Sequence, residues 1–387
     1  MKYLKFKKIL NPAFFVLGML LAGVLLFELN FSFLDPIRMA SEKVKFSDIY
    51  FSQLNGEAIK ADDRIVIIDV GDTMKRPNIV NVLYKLKDLK YKVLAIDLNF
   101  AKINDEDQYT DSLLIAFANN SPNTIFAFDE FNEGSFFFSA NKKIKKGIVN
   151  LGKEKEDHPV RAILNRSEKY PESHSFAYEI VKSFNPELTS LAELKNKEKI
   201  DINYQKKVLP ITITTEDFLK NEESNISTFL DDKIVIVGSL RDEKNDIHLV
   251  PNAGYASFES RNKIYTQLQG PYIHAIAISM LLDEKVINKS PIFNWIVFSI
   301  IFIATLLLTL HWGHKYHLYM RLISRIYILL GSLLLFILYI FLMKFVLFEF
   351  PVSGAILTLI LTHELTEIYE PTIAILKKIK LPLQNII

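Results

Sequence analysis

The sequence predicts an α/β domain with a mixed or mostly parallel sheet flanked by helices, set between segments that form four transmembrane helices. Three observations carry this. Two short runs of β-branched and aliphatic residues, Ile65-Val66-Ile67-Ile68 and Val93-Leu94-Ala95-Ile96, each end in an aspartate, Asp69 and Asp97. Between them Val80, Val82, Leu83, Leu86 and Leu89 recur at helical spacing. Strand, helix and strand then make a βαβ unit whose parallel strands are buried on both faces. Finally, apolar residues concentrate at both ends of the chain and charges in the middle.

Taken in order, residues 2–8 carry Lys2, Lys5, Lys7 and Lys8, and Pro12–Phe33 is apolar except for Glu28. That length is close to the ~20 residues that cross a bilayer, and no small-x-small cleavage site follows, so an uncleaved anchor is expected. Leu21-Ala22-Gly23 resembles the start of a lipoprotein site, but Val24 stands where its cysteine belongs. Asp35–Ala61 reads as an amphipathic helix and a loop. After the βαβ unit, residues 105–120 form a helix whose first turn is acidic, which suits the positive end of its dipole. Thr124–Phe128 is a third strand, ended by Asp129 and Glu130. Phe136–Phe138 is a strand or a packed loop. Gly147–Leu151, an acidic turn and the residues from Val160 read as strand, turn and strand. Ser173–Phe184 is helical, residues 186–200 an exposed helix or loop, and Ile200–Tyr204 a strand. Thr212, Thr214 and Thr215 lead into a helix at Glu216. Lys233–Gly238 is the clearest later strand, with its glycine at the carboxyl end. Ser239–Gln269 reads as a long loop, and a helix opens at Gly270 and runs to about Leu282.

After Pro291 the chain is apolar again, with spans expected over 292–310, 326–348 and 351–369. Lys315, Arg321 and Arg325 lie between the first two; Lys377, Lys378 and Lys380 follow the third. With both termini inside, every basic cluster is cytoplasmic, as the positive-inside rule requires, and residues 34–290 lie outside. The expected organisation is a tail and anchor helix (1–33), an extracytoplasmic domain (34–290), three membrane helices (291–370) and a short cytoplasmic tail (371–387). Residues 376–387 are too few for a folded output domain. His311, His314 and His317, beside Trp312, read as bilayer-surface residues rather than a haem or metal site.

Composition narrows the function. Cysteine is absent, which excludes disulfides, cysteine nucleophiles and thiolate metal sites. The net charge is +2 and the middle region has no long basic stripe, so no nucleic acid is expected as a partner. In open parallel sheets, ligands bind beyond the carboxyl ends of the strands. Asp69, Asp72, Asp97, Asn99 and Gly238 fall there. Asp246, His248 and Arg161 are the polar residues expected to join them in a ligand site. The same residues equally suit helix caps, loop ties or an internal salt-bridge network. His274, which opens the 270–282 helix, is expected to hydrogen-bond within the fold.

No His-x-x-x-His or Asp-x-Asp-x-Asp pattern supports a metal, and no phosphate loop, dinucleotide fingerprint or nucleophile elbow occurs. No catalytic residue, metal ligand or cofactor is therefore assigned.

Residues 35–290 resemble a CHASE domain of the second type, an extracellular sensory module of bacterial signalling proteins. The matching segments are Arg64–Asp69, Lys92–Asp97, Asp107 with Asp111, Gly147–Asn150, the Asp157–Arg161 turn, Lys233–Gly238 and Gly270–Ala275. His158-Pro159 stands where the family often has a glycine-containing turn. The resemblance implies one helix before the domain and usually three after it. It also implies a cytoplasmic kinase or cyclase output, which here is expected from a separate partner. Two functions remain open. One is a membrane-anchored sensor, not an enzyme, binding a small molecule, peptide or envelope component. The other is an envelope enzyme, such as a metal-assisted hydrolase, using the strand-end carboxylates. The lipid bilayer is a partner in either case, and a homodimer suits the layout.

Overall fold

In a computed structural model of the chain, residues 2–28, 44–54, 60–71, 76–98, 100, 108–129, 144–152, 158–205, 208–240, 246–252, 264–315 and 320–378 are described. They form two compact units, Ser47–Ile287 and the combination of Met1–Phe46 with Asn288–Ile387.

The first of these units is built on six parallel strands. They are β1 (Lys60–Asp69), β2 (Val93–Asp97), β3 (Thr124–Phe128), β4 (Lys145–Ile148), β7 (Val208–Thr214) and β8 (Ile234–Gly238), in the order β4-β3-β2-β8-β1-β7. Every neighbouring pair is parallel. The runs expected to be central strands, in β1, β2 and β8, are adjacent at its middle. Their aliphatic side chains reach both faces, and Ile65, Ile67, Val235, Ile236 and Leu94 are wholly buried.

One face packs on α3 (Arg76–Lys87), α4 (Gln108–Asn120) and the short α7 (Thr215–Lys220) and α8 (Glu223–Leu230). Val66, Ile68, Leu94, Ile96, Val235 and Val237 meet Leu83, Leu86, Leu114, Phe117, Phe218 and Leu230 there. An ion pair between Arg76 and Asp111 ties α3 to α4. The other face packs on α5 (Phe176–Phe184) and α9 (Gly270–Leu282). Ser175 caps α5 by accepting from the Tyr178 N–H. Helix α9 is apolar almost all round, as a fully enclosed helix must be, with Ile273, Ala275, Ile276, Ala277, Ile278 and Met280 buried.

Two features differ from expectation. Val208–Thr214 was read only as the approach to a helix, yet it forms β7. Pro210 argues against an interior strand, but β7 is the outermost strand, beside a register shift between Asp62 and Val66 of β1, where a proline is tolerated. The stretch Ser239–Gln269, read as a loop, contains β9 (Ile247–Pro251) paired antiparallel with β10 (Tyr265–Gln269). A second small antiparallel pair joins β5 (Ala162–Leu164) to β6 (Lys199–Asp201). The Lys/Glu-rich segment 186–200 holds the short α6 (Thr189–Leu194), with Leu191 and Leu194 buried. Phe136–Phe138 and Asp157 lie outside the described residues, as does most of Asp35–Ala61, apart from α2 (Phe46–Ile49), its π-turn Tyr50–Leu54 and the start of β1.

The other unit consists of α1 (Lys2–Glu28), α10 (Pro291–Lys315), α11 (Met320–Phe341), a π-turn (Leu342–Val346) and α12 (Val352–Lys378). Four spans were expected. Among the described residues only two stretches are long and apolar enough to cross a membrane, Pro291–His311 and Leu322–Val346. Ile9–Ala22 in α1 is shorter, and α12 carries His363, Glu364, Glu367 and Glu370. The two longer stretches expose Trp295, Ile300, Leu329 and Leu334 over more than half their surface. Such contiguous apolar surface suits lipid rather than water.

Candidate functional site

The parallel register brings three of the candidate residues to one level. Asp69 and Asp97 both sit opposite Gly238, one on each side of it. With strands about 4.8 Å apart, the two aspartate Cα atoms are about 10 Å apart at the carboxyl edge of the sheet. The carboxylates then diverge in role.

Asp69 is buried, and its Oδ1 accepts hydrogen bonds from the backbone N–H of Gly71 (2.9 Å) and Leu240 (3.0 Å). Gly71 has φ +66°, a left-handed turn that glycine adopts without strain. The Asp69 main-chain oxygen accepts from the Thr215 hydroxyl (2.8 Å). Asp69 therefore ties the turns after β1 and β8 together.

Asp97 keeps some exposed surface, but its Oδ2 is enclosed and has no hydrogen-bond partner among the described residues. Burial, with the nearby Asp246 carboxylate as the second cause, holds its pKa well above the ordinary aspartate range. Gly238 is a packing requirement. A Cβ there would stand 2.9 Å from Pro271 Cγ and 3.4 Å from Asp97 Cβ.

Asp246 and His248 join this edge. His248 Nε2 lies 3.0 Å from Asp246 Oδ1. The Asp246 carboxylate presses on Gly270, where any Cβ would collide with it, and the Gly270 N–H donates to the Asp246 carbonyl (3.0 Å). The acidic side chain thus sits at the start of α9, the favourable end of that helix's dipole. His274, in the next turn, is 3% exposed. Its Nδ1 has no hydrogen-bond partner among the described residues. Burial leads in lowering its pKa to about 4, with His248 adding to that and Asp246 opposing it. The imidazole is neutral at neutral pH. Sequence signals placed His274 at a helix start but did not reveal its neighbours, because β9 was hidden in an apparent loop.

Arg161 is placed differently from the sequence reading. Its guanidinium is committed to Asp48, with Nε 3.0 Å from Oδ1 and Nη2 2.8 Å from Oδ2. Asp48 is fully buried and also accepts from the Tyr265 hydroxyl (2.8 Å). This pair joins α2 to the segment before β5 and to β10, the internal salt bridge that the sequence left open as the alternative. Asp72 and Asn99 lie outside the described residues. Among the described residues no three His, Asp or Glu side chains converge to hold a metal ion. An open recess of about 390 Å³ lined by Leu164, Arg166, Glu168, Asn196 and Glu198 contains none of the candidates.

Residues 13–312 match the CHASE2 domain. The chain belongs to the CHASE2 domain family. CHASE2 domains are sensory domains of membrane proteins, and the two apolar helices of this chain are candidate spans. No curated protein and no solved structure shows a significant match.

Proposed function

We propose that this CHASE2 protein is a multi-pass sensor of the cytoplasmic membrane. Residues 34–290 lie outside, both termini lie inside, and a stimulus received at the carboxyl edge of the sheet passes through the membrane helices to a cytoplasmic kinase or cyclase. The observation that carries this reading is Asp97. It stands at the carboxyl edge of a parallel sheet, in a sensory-domain family, with an enclosed carboxylate oxygen that no hydrogen bond among the described residues satisfies. The basic clusters at residues 2–8, 315–325 and 377–380 support the orientation.

We take the role to be non-enzymatic. A metal-assisted hydrolase would need two free strand-end carboxylates, and Asp69 is bound to two backbone N–H groups. The test is a thermal-shift series on the full chain in lipid nanodiscs, with amino acids, sugars, polyamines and peptidoglycan fragments as probes. A probe that raises the Tm in a concentration-dependent way, and fails to do so in Asp97→Asn, supports the site. A shift that persists unchanged in Asp97→Asn moves the ligand elsewhere.

A further inference from the structure

Four ionisable side chains from three elements crowd together where β2, β9 and α9 meet. Asp97 ends β2, Asp246 and His248 lie at the start of β9, and His274 lies on α9. Their charges act on one another: Asp246 on Asp97, and Asp246 and His248 on His274. Among the described residues, Asp97 Oδ2 and His274 Nδ1 are enclosed and have no hydrogen-bond partner. Native proteins satisfy nearly all buried polar atoms, so two exceptions in one cluster call for something that binds.

Room for that something is scarce. A single methyl at Gly238 would meet Pro271, and one at Gly270 would strike the Asp246 carboxylate. The Phe176 ring closes on His274 from α5, edge to face at 5.4 Å between centroids. Among the described residues these contacts close on Asp97, Asp246 and His274. A proton needs no cavity.

We propose that the Asp97–Asp246–His248–His274 cluster is a proton-binding site, and that the outer domain responds to external pH through the gain and loss of a proton on Asp97. This rests on the sensor reading above and names its stimulus. With the proton on, a neutral Asp97 lies beside the Asp246 carboxylate. When the proton leaves for bulk water, two carboxylates face each other in poorly solvated space. Asp246 is the partner placed to give way, because its side chain, unlike that of Asp97, lies outside the six-stranded sheet, just before a strand of a two-stranded pair. Its retreat would release its contacts with Gly270 and loosen the start of α9.

Other charged groups near Asp97 do not substitute for this pair. Asp69, across Gly238, is held by two backbone N–H groups. On α5, Glu179 is paired with His174 and Lys182. Because burial and Asp246 favour the neutral form, release occurs as pH rises, above the range of an ordinary aspartate.

The test uses the full chain in lipid nanodiscs with isotope-labelled aspartate, followed by difference infrared spectroscopy and amide hydrogen exchange across a pH series. The expected result is the carbonyl stretch of a neutral carboxyl persisting above the ordinary aspartate range. It disappears as pH rises and is absent in Asp97→Asn. In Asp246→Asn it disappears at lower pH, since the repelling charge is gone. This second variant carries the test if Asp97→Asn does not fold. Exchange across 246–252 and 265–282 should quicken in step with loss of the band. A neutral-carboxyl band unchanged in Asp97→Asn, or one whose midpoint ignores Asp246→Asn, overturns the site. Loss of the band without any change in exchange overturns the response. A probe-induced thermal shift without the band overturns the proton alone and leaves the sensor reading standing.

Discussion

Asp69 and Asp97 occupy the same register position on either side of Gly238, yet one is a structural tie and the other is unsatisfied. Asp69→Ala would leave the Gly71 and Leu240 N–H groups without an acceptor, so its cost is about 2–4 kcal/mol by denaturant melt. A cost below about 0.5 kcal/mol would show that the tie is dispensable. That both aspartates stand at strand ends was legible, because each closes an aliphatic run. Which one is tied was not, since the donors come from turn geometry that no residue pattern encodes. Arg161 was misplaced for a related reason: its partner Asp48 lies 113 residues away and carries no signal of its own. His274 yields a pH prediction. Its value falls from 6.5 unfolded to about 4 folded. Between these values the unfolded chain binds more protons, so this contribution is full above pH 6.5 and is lost as pH falls towards 4, roughly 3 kcal/mol in all. Asp62 adds a lower window. Burial would raise it, but hydrogen bonds from Arg64 and Ser279 hold it at about 2, so its stabilisation is present above 3.8 and is lost as pH falls towards 2. Acid titration of unfolding free energy should show the Asp62 window directly; Asp97, with its raised pKa, opposes His274 over the upper range, so that window is read as the difference between the parent and His274→Leu.

At the scale of elements, the aliphatic runs read as central strands are central because nothing but apolar side chains can occupy a strand covered on both faces. Replacing Ile67 or Val235 by Asp would bury an unpaired charge and cost several kcal/mol, roughly, with Tm falling accordingly. Gly238→Ala is subtler. It forces Pro271 and the start of α9 outward, at about 1–3 kcal/mol. A neutral result would mean that α9 moves freely relative to β8. The elements that the sequence hid share a physical feature: each is an edge or a two-stranded pair. In β7, Val208-Leu209-Pro210-Ile211 lacks the long aliphatic run of a central strand and includes a proline. In β9 and β10, His248, Thr266 and Gln269 dilute the pattern. Strands with one partner are under weaker demand for hydrophobicity, so they leave a weaker trace.

For the whole molecule the open question is how many helices cross the membrane, and packing among the helices answers differently from hydropathy. Helix α12 fails a hydropathy test because of its polar side chains, yet several of these face its neighbours. Thr362, His363 and Thr366 are buried in the bundle, with His363 Nδ1 3.1 Å from the Thr309 hydroxyl of α10 and its ring edge-to-face with Tyr327 of α11. Thr309 also meets the Tyr327 hydroxyl at 3.1 Å. Polar residues in membrane helices are found in this way, turned towards protein and paired. Helix α1 packs against α12, with Phe15 and Tyr369 edge to face at 5.4 Å. We therefore predict that α1 and α12 cross the membrane together with α10 and α11. Reporter fusions after Asn120 and after Ile387 decide the matter by parity. Four spans put three crossings between these points, so the reporters should lie on opposite sides, with Asn120 outside. Two spans put two crossings between them, so the reporters would lie on the same side. A third fusion after Lys315 lies opposite Asn120 under either count and controls for misinserted protein. If the first two fusions share a side, α12 does not cross; a further fusion at the amino terminus on the same side as Asn120 would remove α1.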